Sequence, residues 1–279
     1  MRRSKPRCCP GYARTGASSR WLRVPTRCCP GGARTEMAGQ SYADFMERVL
    51  ALPGAQAREL GQVGEYPIYA VEQGNDPQRP TALITGGTHG DEPAGPAAVL
   101  EFCRQGGGAW LEALNFLAIP CLNPHGYAHG IRHNGQDVDI NWAYKRDDVP
   151  EIQIVRQLVA GRRFEFVMDF HEDWESPGFY LYELRRGSDP VGARIMEKVS
   201  CFLPLNTQSV IEGQPAWGGI IIPTAEKHEE LRGEGIPVVL YDHHTDHLVV
   251  TETPTILPLE ERVRAQLAAL EVVVEAHLP

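Results

Sequence analysis

A single three-layer α/β/α domain around a central, mostly parallel (mixed) sheet is the fold this sequence predicts, on three observations. Short apolar runs alternate with stretches of helical period from residue 41 onward, the pattern of strands crossing over through helices. The 279 residues are 42% hydrophobic and 23% charged, ordinary for a soluble chain that buries a real core. No internal repeat or linker-like stretch divides the body, so one domain is expected over residues 37–279.

The elements follow in order. "SYADFMERVLAL" sets a serine cap before Phe45, Val49 and Leu52 at helical spacing. Residues 66–72, 81–85 and 115–120 are short β-like runs bounded by Gly, Pro or Asn. Between the last two, "EPAGPAAVLEFCRQ" predicts a helix with proline in its opening turn. A helix is predicted over 150–161, from a proline to a glycine, then strands over 164–170 and 178–184 and a helix over 189–202. "IPVVLYD" (236–242) and "HLVVTET" (247–253) are expected as strands, and residues 258–277 as a closing helix. Tyr180 and Tyr182, on alternate residues of one strand, predict one packed face.

Residues 1–36 differ from the rest. "RCCPGYART" recurs as "RCCPGGART" twenty residues later, without apolar periodicity or the apolar stretch of a secretory signal. A basic transit peptide, a Cys-pair metal tag, and sequence read through upstream of a start at Met37 all compete for this segment. The last fits best, and the segment is expected to be a disordered basic tail outside the fold. It holds nine Lys/Arg before the first acid, Glu36, so residues 36–279 set 36 Asp/Glu against 18 Lys/Arg. Such an acidic body repels a phosphate backbone, which argues against nucleic acid as a partner. No run approaches the roughly 18 apolar residues of a membrane span, so no membrane partner is expected. Three scattered body cysteines (Cys103, Cys121, Cys201) make no disulfide framework and favour a reducing, cytoplasmic setting.

Ligands in an α/β sheet gather where strands end and loops begin. "TALITGGTHGDEPAG" places His89 and Glu92 just past one strand, and His171 follows "FEFVMDF" just past another. Two histidines and a glutamate are a three-ligand set that leaves a fourth zinc position open, the mark of a catalytic ion. Gly86, Gly87 and Gly90 let the backbone turn sharply between strand and helix. A phosphate loop fails because no Lys-Ser/Thr pair follows these glycines. A lone His-x-x-Glu is common, however, and the residues alone leave a surface loop as an alternative.

Four segments in order resemble the zinc metallocarboxypeptidases and the related zinc deacylases of the succinylglutamate desuccinylase/aspartoacylase type. They are "GGTHGDEPAG", "NPHGYAHGIRHNGQDVDIN" (123–141), "DFHED" (169–173) and "TETP" (251–254), spread over most of the body. The resemblance implies a zinc-peptidase-like fold and one zinc per chain on His89, Glu92 and His171. It implies Glu252 as the general base on an attacking water activated by the zinc, Arg132 as the stabiliser of the oxyanion, and Asn141 as a holder of the substrate's carboxylate. Asp139 would orient the first zinc histidine through its other ring nitrogen. The implied activity is hydrolysis of an amide, first a C-terminal peptide bond, with deacylation of an N-acyl amino acid as the alternative. A non-catalytic relative that only binds zinc and peptide is the third reading, disfavoured because all five residues are present.

One departure bears on the substrate. Where the family continues Asn-Arg, this chain has Asn141-Trp142, and tryptophan cannot clamp a carboxylate as an arginine does. Lys145 or Arg146 from the same loop could reach in instead, or Trp142 could stack on the substrate. Tyr241 is a candidate substrate contact. "YDHHTDH" (241–247) reads as a loop near Glu252 rather than a second metal site, and His125, His129 and His133 as loop residues.

Overall fold

The structure is a computed structural model describing residues 41–54, 56–187 and 189–279; the expectation for residues 1–36 lies outside these. The first helix, α1 (Tyr42–Leu50), starts where Ser41 accepts from the Asp44 amide, and it buries Tyr42, Phe45, Met46 and Val49. Two antiparallel strands, β1 (Gln56–Val63) and β2 (Tyr66–Gln73), come next. Then follow β3 (Thr81–Gly86), α2 (Ala94–Gln105), β4 (Asn115–Ile119), α3 (Pro124–His129), α4 (Pro150–Val159), β5 (Val167–Asp173) and β6 (Tyr180–Arg185). The chain closes with α5 (Gly192–Val199), β7 (Val210–Ile211), β8 (Gln214–Trp217), β9 (Ile220–Ile221), α6 (Ala225–Glu230), α7 (Ile236–His243), β10 (His247–Pro254) and α8 (Leu259–Glu275).

The strands form one sheet in the order β1-β2-β4-β3-β5-β10-β6-β9-β8-β7. Its centre, β4-β3-β5-β10, is parallel, and antiparallel pairs extend it on both sides, β6 and β9 alone pairing parallel there. Parallel strands need both faces covered, and β4 is accordingly buried at every residue. One apolar layer packs α1, α2, α5 and α8 on one face, including Phe45, Val99, Ile195 and Leu270. The other packs α4 and α7, including Ile152, Val155, Ile236 and Leu240. This is the expected mixed α/β architecture.

Two elements differ from expectation in ways that matter for the site. Residues 236–242 form a helix rather than a strand. Gly235 is extended, Pro237 lies in the opening turn with a pre-set φ, and Val238, Val239 and Leu240 are buried. A short apolar run satisfies a buried helix as well as a buried strand. The strand expected over 164–170 begins at Val167 and runs to Asp173, so His171 lies within it. Successive side chains of β5 therefore alternate faces: Met168 and Phe170 enter the α2/α8 layer, while Asp169, His171 and Asp173 point the other way. Among the described residues no helix is long and apolar enough to cross a membrane.

Candidate metal centre and active-site cleft

The turn after β3 brings the first two ligands together. Gly87 sits at φ +66, where a side chain is strained, and Gly90 passes so close to α3 that a Cβ would lie 1.9 Å from the Gly126 carbonyl carbon. These contacts aim His89 inward, and Glu92 follows just before α2. Glu92 Oε1 lies 2.7 Å from His89 Nδ1, and Oε2 lies 2.9 Å from His171 Nδ1. The two Nδ1 atoms face each other at 3.1 Å, and all three residues are at least 96% buried. The candidate ligand atoms lie within 4.8 Å of one another, the one such group among the described residues.

The outer ring nitrogens show that this set suits a cation. His89 Nε2 lies 3.1 Å from Asp139 Oδ1, and His171 Nε2 lies 3.1 Å from Asp169 Oδ2. Each carboxylate fixes the proton on Nε2 and leaves the Nδ1 lone pair pointing inward. Two inward lone pairs and a carboxylate, buried together, need positive charge between them, and imidazole with carboxylate is a zinc donor set. Burial opposes a charged imidazole at His89, yet Glu92 and Asp139 raise its pKa; at His171 burial also opposes, and Asp169 and Glu92 raise it further. Burial would raise Glu92, but His171 and His89 hold it down at about 2. Asp169 was missed in the sequence although it stands in "DFHED"; alternation along β5 puts it on the face of His171. Its other oxygen accepts from Thr85 Oγ1 at 2.7 Å.

Glu252 reaches the site through register. It is the partner of His171 across β10 and β5, and of Tyr180 across β10 and β6, so the three side chains share one face. Burial raises its pKa well above the ordinary carboxylate range, and Glu92, Asp173 and Asp169 add to this against the opposing effect of His171. The residue after His171 on β5, Glu172, points to the other layer: it accepts from the Ala94 amide at 2.7 Å and pairs with Arg262 of α8. That bond ties the start of α2, next to Glu92, to the strand of His171.

Arg132 donates through Nε to Asp139 Oδ2 at 3.1 Å and through Nη1 to Glu92 Oε1 at 3.4 Å, with 45% of its side chain exposed. Asn141 is buried, its amide donates to Asp139 Oδ1 at 3.1 Å, and its side-chain Oδ1 has no partner among the described residues. These residues line a cleft of about 560 Å³ with His89, Glu92, His171, Trp142 and Glu252. Lys145 and Arg146 do not line it: Lys145 Nζ is 2.6 Å from Glu234 Oε1, and Arg146 is paired with Asp148. Tyr241 is also outside, with the Arg186 guanidinium 4.2 Å from its ring centre.

The cleft has opposed walls that the sequence did not announce. Asp173, Glu175 and Glu212 line it from the end of β5 and the β7–β8 turn, while Lys227 and His228 enter from α6. In "AEKHEE" these two look like a solvated helix surface; only the tertiary fold turns them inward. The 241–247 cluster disperses. Asp242 holds His228 Nε2 at 2.8 Å, Asp246 pairs with Arg163 and Arg186, His244 Nδ1 contacts the Arg162 carbonyl at 3.0 Å, and His247 joins His277 and Glu183. His125 and His129, expected in a loop, stack on each other within α3, and His133 pairs with Asp137.

The catalytic-domain model of the succinylglutamate desuccinylase/aspartoacylase family matches residues 78–205. No curated protein matches the chain in sequence. Solved structures share the fold. A candidate metallopeptidase of Shewanella amazonensis superposes with a TM-score of 0.73 at 23% identity, covering 85% of this chain and 92% of that one. The carboxypeptidase A of Helicoverpa armigera gives 0.64 at 14% identity, over 85% and 73%. A metallo-carboxypeptidase of Burkholderia cenocepacia gives 0.62 at 18% identity, over 85% and 68%.

Proposed function

We propose that residues 37–279, of which 78–205 match the succinylglutamate desuccinylase/aspartoacylase catalytic-domain model and which share the fold of a carboxypeptidase A, form a zinc-dependent hydrolase of amide bonds. The observation that carries this is the convergence of His89, Glu92, His171 and Glu252 on one cleft. One zinc on the three ligands would polarise the scissile carbonyl and bring the pKa of water towards about 7. Glu252 takes the proton of the attacking water and delivers it to the leaving nitrogen. Arg132, held in place by Asp139 and Glu92, keeps other guanidinium donors for the oxyanion. The unpartnered side-chain Oδ1 of Asn141 accepts a hydrogen bond from an N–H or O–H of the substrate.

A C-terminal peptide bond is the first substrate class, and the N-acyl amino acid is the second, favoured by the deacylase family model and by the absence of an arginine at Trp142. Both substrates end in a carboxylate. Lys145 and Arg146 do not line the cleft, which leaves Lys227, whose Nζ lies 3.1 Å from Glu230 Oε1 at the surface, as the lysine of its wall to receive it. The buried thiols Cys103 and Cys121 and the exposed Cys201 are unbridged, in keeping with a cytoplasmic setting. The test is Glu252→Gln assayed on free-acid peptides and N-acyl amino acids. Zinc should stay bound at one per chain while turnover falls by about 10²–10⁴-fold. A fully active variant overturns the assignment of the base, and wild type inert on both substrate classes overturns the function.

A further inference from the structure

At the sheet edge opposite the zinc ligands, where β3, β5 and β10 begin and β6 ends, lies a second cavity of about 320 Å³. Arg163, Arg185, Arg186, His247 and His277 line it with Glu165 and Asp246, and Phe164 and Pro80 supply its apolar wall. Its volume is that of a small-molecule site.

The lining carboxylates are already committed. Glu165 Oε1 lies 2.8 Å from His277 Nδ1. Asp246 pairs with Arg163 at 2.9 Å and with Arg186 at 3.1 Å. In the same lining, His277 Nε2 is 2.8 Å from His247 Nδ1, and His247 Nε2 is 3.2 Å from Glu183 Oε1. Glu183 also accepts from the amides of Val191 and Gly192 at 2.7 and 2.8 Å, so its oxygens are matched as well. Arg186 is further satisfied by the carbonyls of Tyr241 and Thr245.

Arg185 is the exception. It faces the cavity beside His247, its register partner across β6 and β10. Its Nη1 is buried and has no hydrogen-bond partner among the described residues. A buried guanidinium donor left unmatched is costly, and every such group calls for a partner. The planar fork of arginine fits a carboxylate or phosphate edge in two parallel bonds.

We propose that this cavity binds a small free oxyanion, a carboxylate or a phosphate, with Arg185 as its anchor and Arg163 at the rim. An organic carboxylate uses the Phe164 and Pro80 wall, which inorganic phosphate leaves empty. The site is separate from the hydrolytic cleft and does not depend on the reaction carried out there.

The test titrates the zinc-loaded full chain with succinate and with inorganic phosphate in a calorimeter, against sodium chloride at matched ionic strength. Saturable binding of at least one anion is expected, weakened tenfold or more in Arg185→Gln and several-fold in Arg163→Gln. Succinate binding tighter than phosphate would identify the organic carboxylate as the ligand, and the reverse order the phosphate. Either anion could also occupy the zinc cleft, so binding that survives unchanged in Arg185→Gln overturns the proposal. No saturable binding by wild type overturns it too and leaves water as the partner of Arg185. Should Arg185→Gln not fold, undiminished binding in Arg163→Gln, which alters a side chain 58% exposed, has the same force.

Discussion

Replacing Asp169 by asparagine isolates what a single buried oxygen contributes to the metal centre. Asp169 is 2% exposed, so an isosteric amide leaves the packing intact. One oxygen accepts from Thr85 Oγ1 at 2.7 Å and the other faces His171 Nε2 at 3.1 Å. In the variant, the amide oxygen keeps the Thr85 bond and the NH₂ meets His171. Two donors then oppose each other, unless His171 moves its proton to Nδ1, the nitrogen that must face the metal. Loss of a partner of this kind lowers metal affinity by about 10–100-fold, or about 1.4–2.7 kcal/mol, and the tautomer conflict places Asp169→Asn at the upper end. Asp139→Asn should fall lower in that range, because Asp139 is 24% exposed and shares its charge with Arg132. The assay is competition for zinc against a chromophoric chelator at neutral pH, with circular dichroism as the check on folding. Zinc affinity of Asp169→Asn within twofold of wild type would refute the claim that Asp169 fixes the inward lone pair of His171.

Other perturbations test other links in the structure. Lys227→Ala should lower kcat/KM on free-acid substrates by about 10–100-fold, the scale of a charge-assisted hydrogen bond, and leave substrates with an amidated terminus nearly unchanged; equal losses on both would remove Lys227 from recognition. Gly90→Ala forces a Cβ to 1.9 Å from the Gly126 carbonyl carbon, which should cost about 3 kcal/mol or more and lower the melting temperature by several degrees. A melting temperature within one degree of wild type would show that the loop can move aside. The Glu183–His247 pair predicts acid sensitivity. Burial would raise the pKa of Glu183, but His247 and the amides of Val191 and Gly192 hold it below the ordinary value; burial lowers that of His247. Both depressed groups stabilise the fold above their unfolded values, about 6.5 for histidine and 4.3 for glutamate, and that stability is lost as pH falls through the folded ones. The gap in melting temperature between wild type and Glu183→Gln should therefore narrow only below about pH 4.3, as Glu183 takes up its proton, and a gap unchanged from pH 6 to pH 3 would count against the pair.

How much the sequence disclosed depended on the range of the interaction. The turn after β3 was legible because its glycines, ligands and following proline are contiguous. The helix α1 was legible because its cap and apolar spacing are local. Asp169 was missed because the strand was placed three residues early, which hid that it shares a face with His171. The run 236–242 was misjudged because an apolar heptamer suits either period. The strand β1 shows no alternation, being exposed along most of its length, and β7 to β9 have at most four residues each, too few for a periodic signal. Lys227 and His228 gave no signal, since only a contact far away in sequence turns α6 toward the cleft.

That contact explains the departure at residue 142. The Trp142 ring lies against Gly235, where a Cβ would come within 2.6 Å of Cζ3, so the tryptophan fits only beside a bare backbone at the start of α7. The Tyr144 amide donates to the Glu234 carbonyl at 2.9 Å, and Lys145 pairs with the Glu234 side chain. Three successive contacts thus pin the segment between α6 and α7 to the loop of Asn141, and α6 carries Lys227 into the cleft wall. An arginine at 142 would place its charge in the cleft but could not present that flat apolar face to Gly235. Tryptophan gives up the charge at 142 and fixes in place the segment that delivers another. Trp142 and the lysine proposed to receive the substrate's carboxylate are therefore two ends of one packing arrangement.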